Sequence, residues 1–275
     1  MNSVMAKKED NTIELKVAIP WEEVKKTREE VVEEAAKASN LSGFRKGKAP
    51  KKLVEKTLDQ EKIREEVLKK MLPKAYIEAV KKHGITPIIN PKIHVEKLDD
   101  DKDWEFTAIT CEAPIVDLDN YKENVQKITA KSKIIVPGKE QQKPNFEEIM
   151  KTILESVKVK IPQILIDHEV ERLLAQTLDE IKRLGLTLDQ YLASTGKNPQ
   201  VLRDDYAKKA ENDLKLEFTL QQIAEEEKIT VDEKEIDEAI NKAKDENERK
   251  NLEANRYLLA NILRQQKTLD FIKNL

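Results

Sequence analysis

The segment SGFRKGKAP, residues 42–50, concentrates residue types that could bind a charged partner. Its glycines, aromatic ring, cations and closing proline are Gly43, Phe44, Arg45, Lys46, Gly47, Lys48 and Pro50. The wider stretch 42–56 holds six cations and a single acid. Glycines permit a tight backbone path, and a basic loop with an apolar ring can bind phosphate, nucleic acid or a protein surface.

The spacing of this segment argues against a nucleotide site. The phosphate-binding loop of nucleotide enzymes has the pattern GxxxxGK[ST] and follows a strand. Here only three residues separate Gly43 from Gly47, and Ala49 stands where a magnesium-binding hydroxyl would be needed. We therefore predict an ATP-independent protein that needs no cofactor.

Other groups that could do chemistry are sparse. His83, His94 and His168 lie far apart in the sequence, and none has a metal-ligand spacing such as HExxH. Cys111 is the one cysteine, so no disulfide can form within the chain, which fits a reducing cytosol. The sequence therefore predicts no catalytic and no metal-binding residue.

Composition favours a protein of long, solvated helices. Charged residues make up 37% of the chain, aromatic residues 4%, and the formal net charge is −3, which is unlike a general nucleic-acid binder. No apolar run approaches the length that spans a membrane, and residues 1–11 lack the apolar core of a signal peptide. We expect a cytoplasmic protein with no membrane contact.

The elements that must position residues 42–50 follow from hydrophobic periodicity. Residues 12–19 alternate apolar and polar side chains, which predicts a strand, and residues 21–38 have the spacing of an amphipathic helix. Pro50 is expected to start a short helix, and a longer helix is predicted from about 60 to 82. With a hairpin at about 91–98 and 104–111, residues 1–112 are predicted to form a small α+β domain.

Beyond residue 112 the pattern changes twice. Prolines and short apolar runs predict an extended connector over 113–145, and residues 146–275 read as helices only. Thr187 with Gln190, and Thr230 with Glu233, have the spacing of capping boxes. The last two helices are predicted at about 231–244 and 247–273. The helix faces at 166–181 and 214–223 could either line a binding surface or form core, and core is expected.

The segment GFRKGKAP resembles the signature G-F-R-x-G-x-x-P of the trigger factor family, bacterial chaperones associated with the ribosome. Further blocks resemble successive parts of the same family in the same order, at residues 12–20, 72–93, 161–174, 186–196 and 229–240. The resemblance implies an α+β fold overall. It joins a ribosome-binding domain at 1–112 to an elongated helical chaperone domain with protruding arms at 146–275.

The resemblance also implies a mechanism. Phe44, Arg45 and Lys46 would contact a ribosomal protein at the tunnel exit of the large ribosomal subunit, with the neighbouring lysines facing phosphates of ribosomal RNA. The helical domain would shield nascent and unfolded polypeptides. The family usually carries a prolyl-isomerase domain after the block containing Tyr121, and here the C-terminal helices follow too soon to leave room for it. We therefore expect no enzyme activity.

Two other functions are weighed beside this one. The C-terminal part also resembles the periplasmic chaperone SurA, which would make the protein a holdase that works without the ribosome. A third alternative is an assembly chaperone that grips folded partners. The sequence leaves open whether the free protein forms a homodimer.

Overall fold

The computed structural model describes residues 2–38, 59–132 and 146–275. Their contacts divide the chain into two compact units. Unit 1 comprises Met1–Ala113 and Pro162–Leu165, and unit 2 comprises Pro114–Ile161 and Ile166–Leu275. The fold class is α+β, as predicted, with ten helices among the described residues. No helix in the described ranges combines the length and apolarity needed to cross a membrane.

Unit 1 is built on a four-stranded antiparallel sheet in the order β1-β2-β4-β3. The strands are β1 (Asn2–Lys7), β2 (Thr12–Ile19), β3 (Lys92–Lys97) and β4 (Trp104–Cys111). The predicted alternation in β2 is confirmed, because Ile13, Leu15 and Val17 are buried in the core of the unit. The edge strand β1 was not predicted; its outward Val4 is 68% exposed.

Two helices cover one face of this sheet. Helix α1 spans Trp21–Ala38, and α2 spans Gln60–His83, close to its predicted bounds. Asp59 caps α2 by accepting a hydrogen bond from the backbone of Glu61, and Gly84 ends it in the left-handed conformation. The apolar stripe of α2 is buried at Ile63, Val67, Met71, Ala75 and Ala79.

Unit 2 is almost entirely helical. Its helices are α3 (Tyr121–Ser132), α4 (Phe146–Ser156), α5 (Gln163–Arg183, of which the residues from Ile166 onward belong to this unit), α6 (Leu188–Thr195), α7 (Pro199–Glu226), α8 (Glu233–Asn241), α9 (Glu246–Ala254) and α10 (Arg256–Asn274). One short antiparallel pair joins β5 (Val116–Asp117) to β6 (Lys158–Val159). The two faces expected to be core are partly buried: Ile166, Val170 and Leu173 form one cluster, and Leu220 and Ile223 belong to another, whereas Leu178 is exposed.

Three details of the sequence prediction need correction. An extended connector was expected over 113–145, but Tyr121–Ser132 form α3, which packs on α4 through the buried Val125. The second capping box is formed by Asp232 and Glu235, two residues beyond the predicted pair. The final predicted helix is interrupted at Asn255, so it forms α9 and α10.

Candidate functional site

The predicted ribosome-binding residues 43–48 and Pro50 lie outside the described residues, as does the short helix predicted from Pro50. They belong to the segment 39–58 that connects α1 with α2. The two flanking helices contact each other through Arg28 Nη2, which donates to Gln60 Oε1 at 2.8 Å, and through an ion pair of 2.6 Å between Lys70 and Glu34. These contacts join the two helices that bear the segment.

Unit 2 carries an apolar groove where α5, α6 and α7 meet. Sequence alone specifies the two turns that bring these helices together. Gly185 and Gly196 have φ angles of 72° and 66°, in the region that favours glycine, and end α5 and α6. The capping box of Thr187 with Gln190 starts α6, as predicted, and Asn198 caps α7 by accepting from the Val201 N–H.

The groove has a volume of about 330 Å³ and is lined mostly by leucines. Its lining residues are Leu174, Thr177, Leu178, Leu188, Leu192, Pro199, Gln200, Leu202 and Arg203. Leu192 and Leu202 form its buried floor, while Leu178 and Leu188 are 38% exposed. The exposed apolar surface continues onto the turn beside it, where Leu184 is 73% exposed.

Polar contacts hold the helices beneath and beside this groove. The hydroxyls of Thr177 on α5 and Tyr206 on α7 share a hydrogen bond of 2.6 Å, and Thr177 also donates to the Leu173 carbonyl. Lys197 donates to Asp205 at 2.7 Å and holds the pKa of that carboxyl below its ordinary value. These contacts hold in place the helices that carry the exposed apolar side chains of the groove.

A second exposed apolar surface lies on α10. Tyr257 is 82% exposed, and Leu258 and Ile262 are more than half exposed. These three side chains border a groove of about 380 Å³ between α7 and α10, which Leu220 and Ala224 line from the other side. Exposed apolar groups of this kind are a feature of surfaces that bind other polypeptides.

Ionic contacts hold α8 against α10 next to this second surface. Arg256 pairs with Glu233 and Asp237 at 2.5 and 2.8 Å, and Lys267 donates to Glu235 and to the Thr230 carbonyl. The hydrogen bond from Lys267 is the main cause that lowers the pKa of Glu235.

Groups of three or more side chains able to hold a metal ion do not occur in the described ranges. His83 shares a 3.0 Å hydrogen bond with Ser3, and Cys111 is fully buried, so that burial raises the pKa of its thiol to about 11. A buried thiol of this kind is a poor nucleophile.

Two family models match the chain. The model described as bacterial trigger factor protein matches residues 1–149, and the one described as the C-terminus of the same protein matches residues 117–274. The chain belongs to the bacterial trigger factor family. The two matched ranges overlap, so the chain has no unmatched stretch between them.

Trigger factors from several bacteria are similar in sequence to part of this chain. The trigger factor of Staphylococcus epidermidis is 34% identical over 122 residues, which cover 44% of this chain and 28% of that protein. The trigger factor of Ligilactobacillus salivarius is 36% identical over 123 residues, and that of Bacillus cytotoxicus over 116 residues. The matched part therefore spans less than a third of the length of these relatives.

A solved structure shows the same fold. It comes from work on promiscuous substrate recognition in the folding and assembly activities of the trigger factor chaperone. Its TM-score to this chain is 0.67 at 14% identity, over 100% of this chain and 99% of that one. At this identity the likeness concerns the fold alone.

Sequence reasoning weighed the helix face 166–181, which holds Leu178, as a possible binding surface but preferred core, and it did not single out Leu184 or Leu188. A signal for them was present in the segment LGLTL, residues 184–188, because Leu184 and Leu186 stand in the turn between two helices and Leu188 directly follows it. A turn is normally polar, since it faces water, so apolar residues there indicate a surface with a partner. For Tyr257 and its neighbours the helical pattern held no comparable signal.

Proposed function

We propose that this trigger factor family member is an ATP-independent chaperone that binds unfolded polypeptides on the exposed apolar surfaces of unit 2. The observation that carries the proposal is the leucine-lined groove between α5, α6 and α7, which stays open to solvent in a family of chaperones. Residues 146–275 then act as the chaperone domain and residues 1–112 as the docking domain, in the cytoplasm.

Weak and reversible binding follows from the partial exposure of these side chains. Full burial of one leucine contributes about 1.5 to 3 kcal/mol, and side chains that are already partly covered contribute less. A few such contacts hold an unfolded chain, but they cannot compete once the client buries its own apolar residues. Release therefore needs no nucleotide.

Docking on the large ribosomal subunit is proposed for the segment 42–50. Arg45 can pair in bidentate geometry with a carboxylate of a ribosomal protein at the tunnel exit, and Phe44 can fill a small apolar depression. Lys46 and Lys48 can face phosphates of ribosomal RNA. The support comes from the family match over residues 1–149 and from the residue types.

Ribosome co-sedimentation tests this docking. The triple change Phe44→Ala, Arg45→Ala and Lys46→Ala should abolish association, and the affinity of the unchanged protein should fall as salt rises. The matched control is Lys234→Ala, an exposed cation on α8 of unit 2, which should leave association intact. Association that survives the triple change in a folded protein refutes the assignment and favours a holdase that works without the ribosome.

A client-binding assay tests the apolar groove. Changing Leu184 and Leu188 together to serine should weaken suppression of aggregation of an unfolded model protein. The control is Val4→Ser, which alters a comparably exposed side chain in unit 1. Equal suppression by all three proteins would show that the groove takes no part.

We further propose that the protein does not catalyse prolyl isomerisation. The two family matches overlap at residues 117–149, which leaves no room between them for an inserted domain. A short Xaa-Pro peptide should therefore isomerise at the uncatalysed rate in its presence, and measurable acceleration would contradict the proposal.

A further inference from the structure

The four-stranded sheet of unit 1 ends in two edge strands that differ in character. The strand order β1-β2-β4-β3 places β1 at one edge and β3 at the other. Among the described residues, no further strand pairs with either of them. An edge strand presents unpaired backbone N–H and C=O groups, to which another extended chain can bind.

Strand β3 has the features that keep a sheet edge from pairing further. Pro91 precedes it, and its register with β4 shifts between Val95 and Lys97. Three of its six residues are charged, at Lys92, Glu96 and Lys97. Proline, charged side chains and an irregular register are the means by which natural sheets block their edges.

Strand β1 lacks these features over residues 2–6. This stretch, NSVMA, holds no charged residue and no proline, and its register with β2 is continuous. The side chain of Val4 is 68% exposed. The charged Lys7 at the end of the strand is bound to Glu112 at 2.7 Å. The β1 edge is therefore open to pairing where the β3 edge is blocked.

The pairing of β1 with β2 defines which backbone groups lie on the outer side. The Lys8 N–H donates to the Thr12 carbonyl at 2.8 Å, so the even-numbered residues of β1 bond toward β2. Residues 3, 5 and 7 therefore direct their N–H and C=O groups away from β2. Within the described ranges, these outer backbone groups have no hydrogen-bond partner.

Contacts on the inner side hold β1 in place. All six of its residues pair with β2, Ser3 shares a hydrogen bond of 3.0 Å with His83 of α2, and Met5 packs against the core of unit 1. The edge is therefore formed before a partner arrives, and the cost of ordering falls on the partner alone.

The chemistry of this edge defines its occupant. A row of N–H and C=O groups recognises an extended main chain, and it does so for almost any sequence because every residue except proline carries both groups. Unfolded polypeptides offer such segments. A second copy of β1 fits less well, since a stable interface takes about 20 to 30 residues a side and β1 has six.

We propose that the outer side of β1 is a further binding site for unfolded polypeptides, which add there as a fifth strand through main-chain hydrogen bonds. The choice of occupant rests on the proposed chaperone function. The site takes segments without proline, and it favours uncharged, β-branched residues that pack beside Val4 across the new strand pair.

Two labelled peptides with the same side chains test the site by fluorescence anisotropy with the full chain. Both are short alternating Thr/Val peptides with a Gly/Ser tail. In the first, every second residue is N-methylated, which leaves one edge able to pair and prevents the peptide from building larger sheets. In the second, the remaining N–H groups are also replaced by ester oxygens, which removes the donors and adds no bulk.

Two substitutions at one position test the location. Met5→Pro removes an outer N–H and keeps the hydrogen bonds between β1 and β2, because the ring faces away from β2. The matched control Met5→Ala loses the same packing against the core but keeps the N–H. Urea unfolding followed by tryptophan fluorescence verifies that unit 1 of each variant is folded, since both tryptophans lie there.

The first peptide should bind the unchanged protein and Met5→Ala at least about tenfold more tightly than the second, because several hydrogen bonds are lost in the second. Met5→Pro should weaken binding of the first peptide about five- to tenfold. In hydrogen exchange followed by NMR, the first peptide should slow the amides of residues 3, 5 and 7.

Equal binding of both peptides, or binding that Met5→Pro leaves unchanged in a folded protein, overturns the inference while the proposed chaperone function stands. A dimer that Met5→Pro dissociates in sedimentation also overturns it, because a second copy then fills the edge. If Met5→Pro does not fold, the two peptides and the exchange of residues 3, 5 and 7 still decide. If neither peptide binds and aggregation of an unfolded model protein is not suppressed, both fail.

Discussion

The hydroxyl of Tyr121 joins two helices of unit 2 that are far apart in sequence. Tyr121, at the start of α3, is 2% exposed, and its hydroxyl donates to Glu227 Oε1 at the end of α7 at 3.2 Å. Lys122 lies 2.5 Å from the same oxygen. The change Tyr121→Phe removes one hydroxyl and keeps the ring that fills the core, so it isolates the hydrogen bond.

The structure sets the size of the effect. A hydrogen bond to a charged group contributes about 1.5 to 3 kcal/mol. This one is long for a hydroxyl donor, and Lys122 continues to neutralise Glu227 after the change. We therefore expect Tyr121→Phe to lower the free energy of unfolding of unit 2 by about 1 to 2 kcal/mol, with roughly 2 to 4 °C of melting temperature lost per kcal/mol.

Two spectroscopic signals separate the two units. Both tryptophans, Trp21 and Trp104, lie in unit 1, whereas most helices lie in unit 2. Urea unfolding followed by circular dichroism at 222 nm should show the loss, and tryptophan fluorescence reports unit 1 in the same samples. The matched control is Tyr257→Phe, because Tyr257 is 82% exposed and should show no change. An unchanged dichroism midpoint for Tyr121→Phe would refute the reasoning.

The ionisation of Tyr121 gives the same prediction a pH signature. Burial, and after it the nearby Glu227 carboxylate, raises the pKa of Tyr121 above its ordinary value. The folded state therefore retains a proton that the unfolded state releases, and the stability this provides is lost as pH rises above about 10. The loss of unit 2 stability above this pH should be smaller in Tyr121→Phe than in the unchanged protein.

Two further predictions concern unit 1. Burial raises the pKa of Cys111 to about 11, so a thiol reagent at neutral pH should label it only as fast as unit 1 unfolds, and fast labelling of the native protein would contradict its burial. The hydrogen bond from Lys7 is the main cause that lowers the pKa of Glu112, which also accepts from the Thr86 backbone. The stabilisation by the Glu112 carboxylate is therefore present above about pH 4.3 and is lost as pH falls below it. Glu112→Gln should lower the free energy of unfolding of unit 1 by about 1 kcal/mol or less at pH 7. It should also reduce the loss of stability at acid pH, measured by tryptophan fluorescence.

Regular elements with a strong pattern could be predicted from the sequence. The alternation of β2, the apolar stripe of α2 and the glycine that ends α2 are local features, and the structure has all three. The capping box at Thr187 is equally local, because both partners lie within one turn. The family was also evident from one short motif and its collinear blocks, and the family matches confirm it.

Elements that depend on distant partners could not be predicted. Strand β1 has weak alternation of its own and exists because β2 pairs with it residue by residue. At the start of α8 both Thr230 and Asp232 have an acidic residue at capping-box spacing. In the structure Asp232 forms the box, and the Thr230 carbonyl accepts from Lys267 of α10. Only the fold places these residues together.

The sequence by itself determined the family, the fold class and most helix and strand positions, because these follow from local patterns of apolar, glycine and capping residues. The tertiary structure alone decided which apolar side chains stay exposed to solvent. Leucines have the same chemistry at 184 and at 220, yet the former is mostly exposed and the latter is in the core. Residue 184 lies just beyond the end of α5 and stays exposed to solvent. Residue 220 is buried because it shares a core with residues of α3, α4 and α10.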